Sequence, residues 1–197
     1  MDVSKLYGTG VALVTPFNEN FEVDYQSLEK LLDHVINGGV DYLVVMGTTG
    51  EASTLSPKEK QDVLDFIIVK NSGKLPIVYG IGGNSTIDVK ERLEEQNYDG
   101  IDAILSVAPY YNKPSQEGYK YHYKEVANAS KRPVIMYNVP GRTAGNMTAD
   151  TTIELSKHPN IIAMKEASGD IIQCTRIASE TNEEFILISG DDMLTVP

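Results

Sequence analysis

A lysine closes the apolar run Ile161-Ile162-Ala163-Met164-Lys165. A run this apolar reads as a buried strand, and burial disfavours the charged ammonium. Lysine is rarely fully buried unless it is paired. A lysine desolvated in this way loses its proton near neutral pH and attacks a carbonyl carbon, giving a Schiff base. The alternative is a lysine just past a strand end, its stem on apolar surface and its ammonium in water. Strand alternation puts Ile135 and Tyr137 on one face of their run, and Ile161, Ala163 and Lys165 on one face of theirs. If both faces point inward, Tyr137 and Lys165 are neighbours, and a phenol beside an amine can carry protons during imine formation. Otherwise Tyr137 packs, with its hydroxyl satisfied by backbone.

Other polar residues collect just after apolar runs. Gly47-Thr48-Thr49-Gly50-Glu51 follows one, and Tyr110-Tyr111-Asn112-Lys113-Pro114 follows another. Thr48 and Thr49 suit the capping of a turn. Gly47 and Gly50 are expected at positive φ, where backbone can approach a ligand closely. Arg142 is either a loop charge or a planar fork for bidentate capture of a carboxylate. Asp191 and Asp192 look like a metal pair, but neighbours on a strand point to opposite faces. His34, His122 and His158 fall in helical or linker segments, so no metal site is expected.

The elements that position these residues recur regularly. Apolar, β-branched runs cover 10–15, 41–46, 76–81, 102–107, 133–138, 161–165 and 185–189. Their spacing, about thirty residues, is that of a βα unit. Amphipathic segments fill the gaps. Asp24 opens one that carries Leu28, Leu31, Leu32, Val35 and Ile36 and stops at Gly38-Gly39. Ser56-Pro57-Lys58-Glu59 opens the next with a capping box and proline at the first helical position. Ser85, Ser115, Thr148 and Asp170 are the expected caps of the rest.

Strand–helix alternation with continuous apolar strands implies a parallel sheet covered by helices. A doubly wound sheet would carry a glycine-rich phosphate loop after its first strand. The first run leads instead into Thr15-Pro16-Phe17-Asn18, and Gly80-Ile81-Gly82-Gly83 reads as a tight turn. The spacing therefore predicts an α/β fold of the TIM (β/α)8 barrel type, incomplete, with seven of the eight strands in residues 1–197. In such a barrel the chemistry gathers at the C-terminal strand ends.

The chain has 197 residues, 41% of them hydrophobic, and a formal net charge of −11. No basic run tracks a phosphate backbone, so no nucleic-acid partner is expected. The single cysteine, Cys174, excludes an internal disulfide framework and fits helix packing. Met1-Asp2-Val3-Ser4-Lys5 lacks a signal-peptide core, and no apolar stretch reaches bilayer-spanning length, so a cytoplasmic protein with no membrane partner is expected.

Taken together, the segments 47–51, 110–114, 137–143, 165–167 and 189–192 resemble the pyruvate-dependent class I aldolases, and within them the dihydrodipicolinate synthase family. The resemblance runs over essentially the whole chain. It implies that Lys165 forms an imine with pyruvate and that Tyr137 relays protons above it, linked through Thr49 to Tyr111, which neighbouring subunits exchange. It implies that Thr48 and Thr49 bind the pyruvate carboxylate, Arg142 the carboxylate of aspartate semialdehyde, and that Gly190 lines the pocket floor. It implies no cofactor beyond the covalent imine, small-molecule substrates, and a homo-oligomer, dimer or dimer of dimers. The family also has an eighth strand and further C-terminal helices. N-acetylneuraminate lyase and the 2-keto-3-deoxy sugar acid aldolases share the lysine and tyrosine. Thr48-Thr49 with Arg142 favours the synthase over these, and a non-catalytic fragment is the alternative of another class.

Overall fold

Side-chain caps start six of the seven α-helices among the described residues at the positions expected from sequence. In α1 (Tyr25–Asn37) Asp24 accepts from the backbone N–H groups of Gln26 and Ser27. Ser56 and Glu59 form the capping box of α2 (Pro57–Asn71). Ser85 caps α3 (Thr86–Glu95) and Ser115 caps α4 (Gln116–Ala129). A four-residue helix, α5 (Pro140–Thr143), begins at a proline and was not expected. Thr148 caps α6 (Ala149–Leu155), and Asp170 caps α7 (Ile171–Glu180). Such caps are local: a short oxygen-bearing side chain satisfies N–H groups that have no partner within the helix.

The structure is a computed structural model and describes residues 3–195. Its strands are β1 (Gly10–Ala12), β2 (Tyr42–Val45), β3 (Ile77–Gly80), β4 (Ala103–Val107), β5 (Val134–Asn138), β6 (Ile161–Glu166) and β7 (Ile186–Ser189). β1 ends three residues sooner than its apolar run. The Leu13 N–H still donates to the Val44 carbonyl at 3.0 Å, and Pro16 has no N–H of its own to extend the ladder. Thr15 turns its hydroxyl to the Gly50 carbonyl at 2.7 Å instead.

Two compact units are present, one of residues up to Gly80 with Asp99–Asp102, the other of Ile81–Tyr98 and the residues from Ala103 onward. In the first, β1 pairs with β2 and β2 with β3, all parallel. Leu28 and Leu32 of α1, Leu64 and Ile67 of α2, and Leu43 and Ile77 of the strands are fully buried there. Burying each such side chain contributes about 1.5–3 kcal/mol relative to exposure. In the second unit β4, β5, β6 and β7 pair parallel in chain order. Leu93, Ile104, Tyr119, Tyr123 and Ile135 form its core.

Parallel strands in chain order, with helical crossovers between them, are the wiring of a (β/α)8 barrel. The fold class is α/β, with seven of the eight barrel strands among the described residues. Between β5 and β6 the register shifts once: Val134 pairs with Ile161, but Ile135 pairs with Ala163. The faces inferred from strict alternation hold for Ile135, Tyr137, Ala163 and Lys165. Ile161 departs from them because the shift adds a residue to β6. Among the described residues no helix is long and apolar enough to cross a membrane.

Candidate active site

The C-terminal ends of β5 and β6 put Tyr137 and Lys165 side by side as cross-strand partners. The Lys165 amine lies over the Tyr137 ring, 4.8 Å from its centroid. Tyr137 is buried and Lys165 half-buried. Burial pulls the Lys165 pKa below the ordinary lysine value, and the negative charge of Asp192 acts against that shift. The face of an aromatic ring also favours a cation. Desolvation is the larger influence, so the amine is easier to deprotonate than a surface lysine. A deprotonated amine is the nucleophile that imine formation needs.

Gly190 stands where Lys165 needs space. A Cβ on Gly190 would lie 3.1 Å from both Cε and Cγ of Lys165, and 3.0 Å from the Ala167 Cβ. Its own backbone N–H donates to the Glu166 carbonyl at 2.8 Å, which ties the end of β7 to β6. The two aspartates that follow are not strand residues. Asp191 caps a short 3-10 turn by accepting from the Met193 N–H, and Asp192 begins that turn. The expectation that they point to opposite faces of a strand is corrected accordingly. Among the described residues, no group of three or more His, Cys, Asp and Glu side chains is placed to hold a metal ion.

Arg142 sits in α5, exposed, with its N–H donating to the Val139 carbonyl at 2.8 Å. Tyr111 belongs to the same unit. It is 85% exposed at a loop tip, with φ at 70°. Its N–H donates to the Thr143 carbonyl at 3.3 Å, which links the loop after β4 to α5. A left-handed tyrosine costs on the order of 1–3 kcal/mol and persists only when its surroundings hold it.

Thr48 and Thr49 lie in the first unit, exposed on the 3-10 turn Thr48–Gly50 after β2. The left-handed positions of this segment are Met46 and Glu51, with φ of 57° and 53°, and not the glycines. Gly47 has φ −73°. That corrects the expectation for both Gly47 and Gly50. Gly50 meets a different demand: a Cβ there would lie 3.1 Å from the Leu13 carbonyl oxygen.

Sequence reasoning missed the buried carboxylate next to the lysine. Glu166 is 3% exposed and accepts hydrogen bonds from Asn138, Ser168 and Gln173. The available signal was a charged residue directly after an apolar strand run, on the face opposite Lys165.

The chain is similar to known proteins over nearly its whole length. The model of the "Dihydrodipicolinate synthetase family" matches residues 5–197. A 4-hydroxy-tetrahydrodipicolinate synthase of Flavobacterium psychrophilum is 53% identical over 191 residues, covering 96% of this chain and 65% of that relative. One of Parabacteroides distasonis is 52% identical over 193 residues, covering 98% of this chain and 65% of its own length. The crystal structure of a dihydrodipicolinate synthase from Bacillus anthracis superimposes with a TM-score of 0.92 at 40% identity, covering 97% of this chain and 66% of that one. The chain therefore spans about two thirds, 65%, of the length of the curated relatives it matches. A half-buried lysine beside a tyrosine at the ends of parallel strands, and a family match over nearly every residue, lead to one assignment: the chain belongs to the dihydrodipicolinate synthetase family.

Proposed function

We propose that this chain carries the imine-forming lysine of a 4-hydroxy-tetrahydrodipicolinate synthase, a lyase of the class I aldolase type that condenses pyruvate with L-aspartate 4-semialdehyde in lysine and diaminopimelate biosynthesis. The observation that carries the reading is the Lys165 amine, half-buried, its pKa lowered by burial, and lying 4.8 Å from the centre of the Tyr137 ring. Family membership supports it.

The proposed sequence begins when the neutral Lys165 amine attacks the pyruvate keto carbon. The carbinolamine loses water to give the imine, with Tyr137 passing the protons. Loss of a methyl proton turns the imine into an enamine. Its carbon attacks the aldehyde of the second substrate, forming the carbon–carbon bond. The substrate's own amine then displaces Lys165 and closes the ring, so the lysine returns unchanged and no cofactor takes part.

Thr48 and Thr49 are the proposed holders of the pyruvate carboxylate, partly through backbone N–H groups. Thr49 and Tyr111 extend the proton path from Tyr137, with Tyr111 supplied by a neighbouring subunit of a homo-oligomer, a dimer or a homotetramer. Arg142 is the proposed clamp for the carboxylate of aspartate semialdehyde, where its planar fork gives two parallel hydrogen bonds. Gly190 lines the floor beneath the lysine. The setting is the cytoplasm, and neither nucleic acid nor membrane takes part.

The test is reductive trapping. Pyruvate with borohydride is expected to modify Lys165 covalently, and peptide mapping locates the adduct. An adduct on another residue, or none in folded protein, would overturn the mechanism. Turnover with N-acetylneuraminate in place of aspartate semialdehyde would overturn the substrate assignment.

A further inference from the structure

The residue behind Lys165 is a carboxylate in an unusual setting. Glu166 follows Lys165 on β6, faces the other side of the strand, and is 3% exposed. Lone carboxylates are rarely buried this deeply unless they are paired. The partners of Glu166 here are amide N–H donors. Asn138 Nδ2 lies 3.1 and 3.0 Å from its two oxygens, Gln173 Nε2 donates at 2.9 Å, and the Ser168 backbone N–H at 2.7 Å.

Each of these partners is an N–H donor, so both carboxylate oxygens act as acceptors and fix which way each side-chain amide faces. Asn138 and Gln173 must both present their NH2 groups to it. That leaves the Asn138 Oδ1 turned toward the Met147 backbone N–H, which donates at 3.1 Å. Asn138 Nδ2 also reaches the Asn146 Oδ1 at 2.7 Å, and Asn146 Nδ2 in turn donates to the Gln173 Oε1 at 3.0 Å.

Asn138 is the last residue of β5, and Asn146 and Met147 end the loop that carries Arg142. One asparagine side chain thus joins the two ends of that loop, and one carboxylate sets its orientation. We propose that Glu166 is a positioning residue: through Asn138 it holds loop 139–147, and with it Arg142, in register with the Lys165 strand, and so governs capture of the second, carboxylate-bearing substrate. This rests on the Schiff-base reading above.

Glu166→Gln is the informative change, because it keeps size and replaces an acceptor by a donor. Each amide that turns to meet the new NH2 leaves the next one facing donor to donor, and the conflict ends at Asn138. Adding Gln173→Glu offers the new amide an acceptor and lets Asn138 keep its orientation, with loss of the hydrogen bond that Gln173 Nε2 donates to the Met147 carbonyl at 3.2 Å.

Glu166→Gln is expected to raise KM for aspartate semialdehyde about tenfold or more, with the rate of pyruvate–borohydride trapping on Lys165 held within about threefold. The double variant is expected to lower KM again by about threefold or more relative to Glu166→Gln. Amide hydrogen exchange in 139–147 should quicken in the single variant and slow again in the double. An unchanged KM, an equal loss in both half-reactions, or no recovery overturns the proposal. Should Glu166→Gln fail to fold, Asn138→Ser carries the same test, and failure of both to fold overturns a positioning role. A parent protein that forms no adduct on Lys165 sinks the synthase reading alone. The exchange pattern then decides the network, and unaltered exchange overturns it.

Discussion

Gly190 and Lys165 compete for one space: a Cβ at residue 190 would come within 3.1 Å of the lysine Cε and Cγ. Side chains meet this closely only if one of them moves. The flexible stem of Lys165 has to give by a few tenths of an ångström, which shifts its amine relative to the Tyr137 ring. Gly190→Ala is expected to slow pyruvate–borohydride trapping by tenfold or more, while overpacking costs about 1–3 kcal/mol of stability. Trapping rates and thermal melts on the same samples check this. An unaltered trapping rate would show that the lysine reaches its substrate by another path.

Arg142→Ala separates the two half-reactions. The side chain is exposed and α5 is capped by backbone hydrogen bonds from Ala144 and Thr143, so the fold does not depend on the guanidinium. Losing a charge-assisted bidentate contact should weaken the use of aspartate semialdehyde by about 2–4 kcal/mol in transition-state stabilisation. Trapping with pyruvate should stay close to the parent rate. Steady-state kinetics in aspartate semialdehyde, set beside trapping kinetics, measure both. Equal losses would make Arg142 structural.

His122 gives the fold a pH dependence of its own. The ring is 1% exposed on α4, with Nδ1 2.9 Å from the Thr86 hydroxyl. Burial pushes its pKa down from 6.5 to about 4. Between those values the unfolded chain binds a proton that the folded chain does not. This contribution is therefore present in full above pH 6.5 and is lost as pH falls toward 4, amounting to about 3 kcal/mol. Urea melts from pH 4 to 7 should show that loss, and His122→Leu should remove this part of the slope. Identical slopes for parent and variant would refute it.

Features written in short stretches of chain were legible beforehand. Asp24, Ser56, Ser85, Ser115, Thr148 and Asp170 cap helices as expected, since a cap involves residues no more than three apart. The faces of Tyr137 and Lys165 followed from a period of two, but their cross-strand pairing depends on the register shift at the start of β6, which alternation does not show. What escaped notice depends on tertiary approach. Gly50 is small because the Leu13 carbonyl is near, and Gly190 because a lysine from another strand is near. Neither cause is visible in the residues flanking them. The left-handed turn positions fell on Met46 and Glu51, where side-chain type gives no warning. Glu166 stood in plain sight beside Lys165, but its donors come from residues 138, 168 and 173.

The register shift at the start of β6 carries a lesson for recombining relatives of this chain. Extended unbroken from Val134 and Ile161, the pairing would set Tyr137 beside Met164; the shift sets it beside Lys165. The irregularity and its effect lie several residues apart, on two strands that α5, α6 and their loops separate in the chain. A chimera with its crossover between β5 and β6 can inherit one half of that geometry and lose the other, even when both parents are active. Crossovers placed before Val134 or after Glu166 transfer the pair as one block. Libraries cut in those two ways should therefore differ in their share of members that trap pyruvate, at equal sequence identity to the parents.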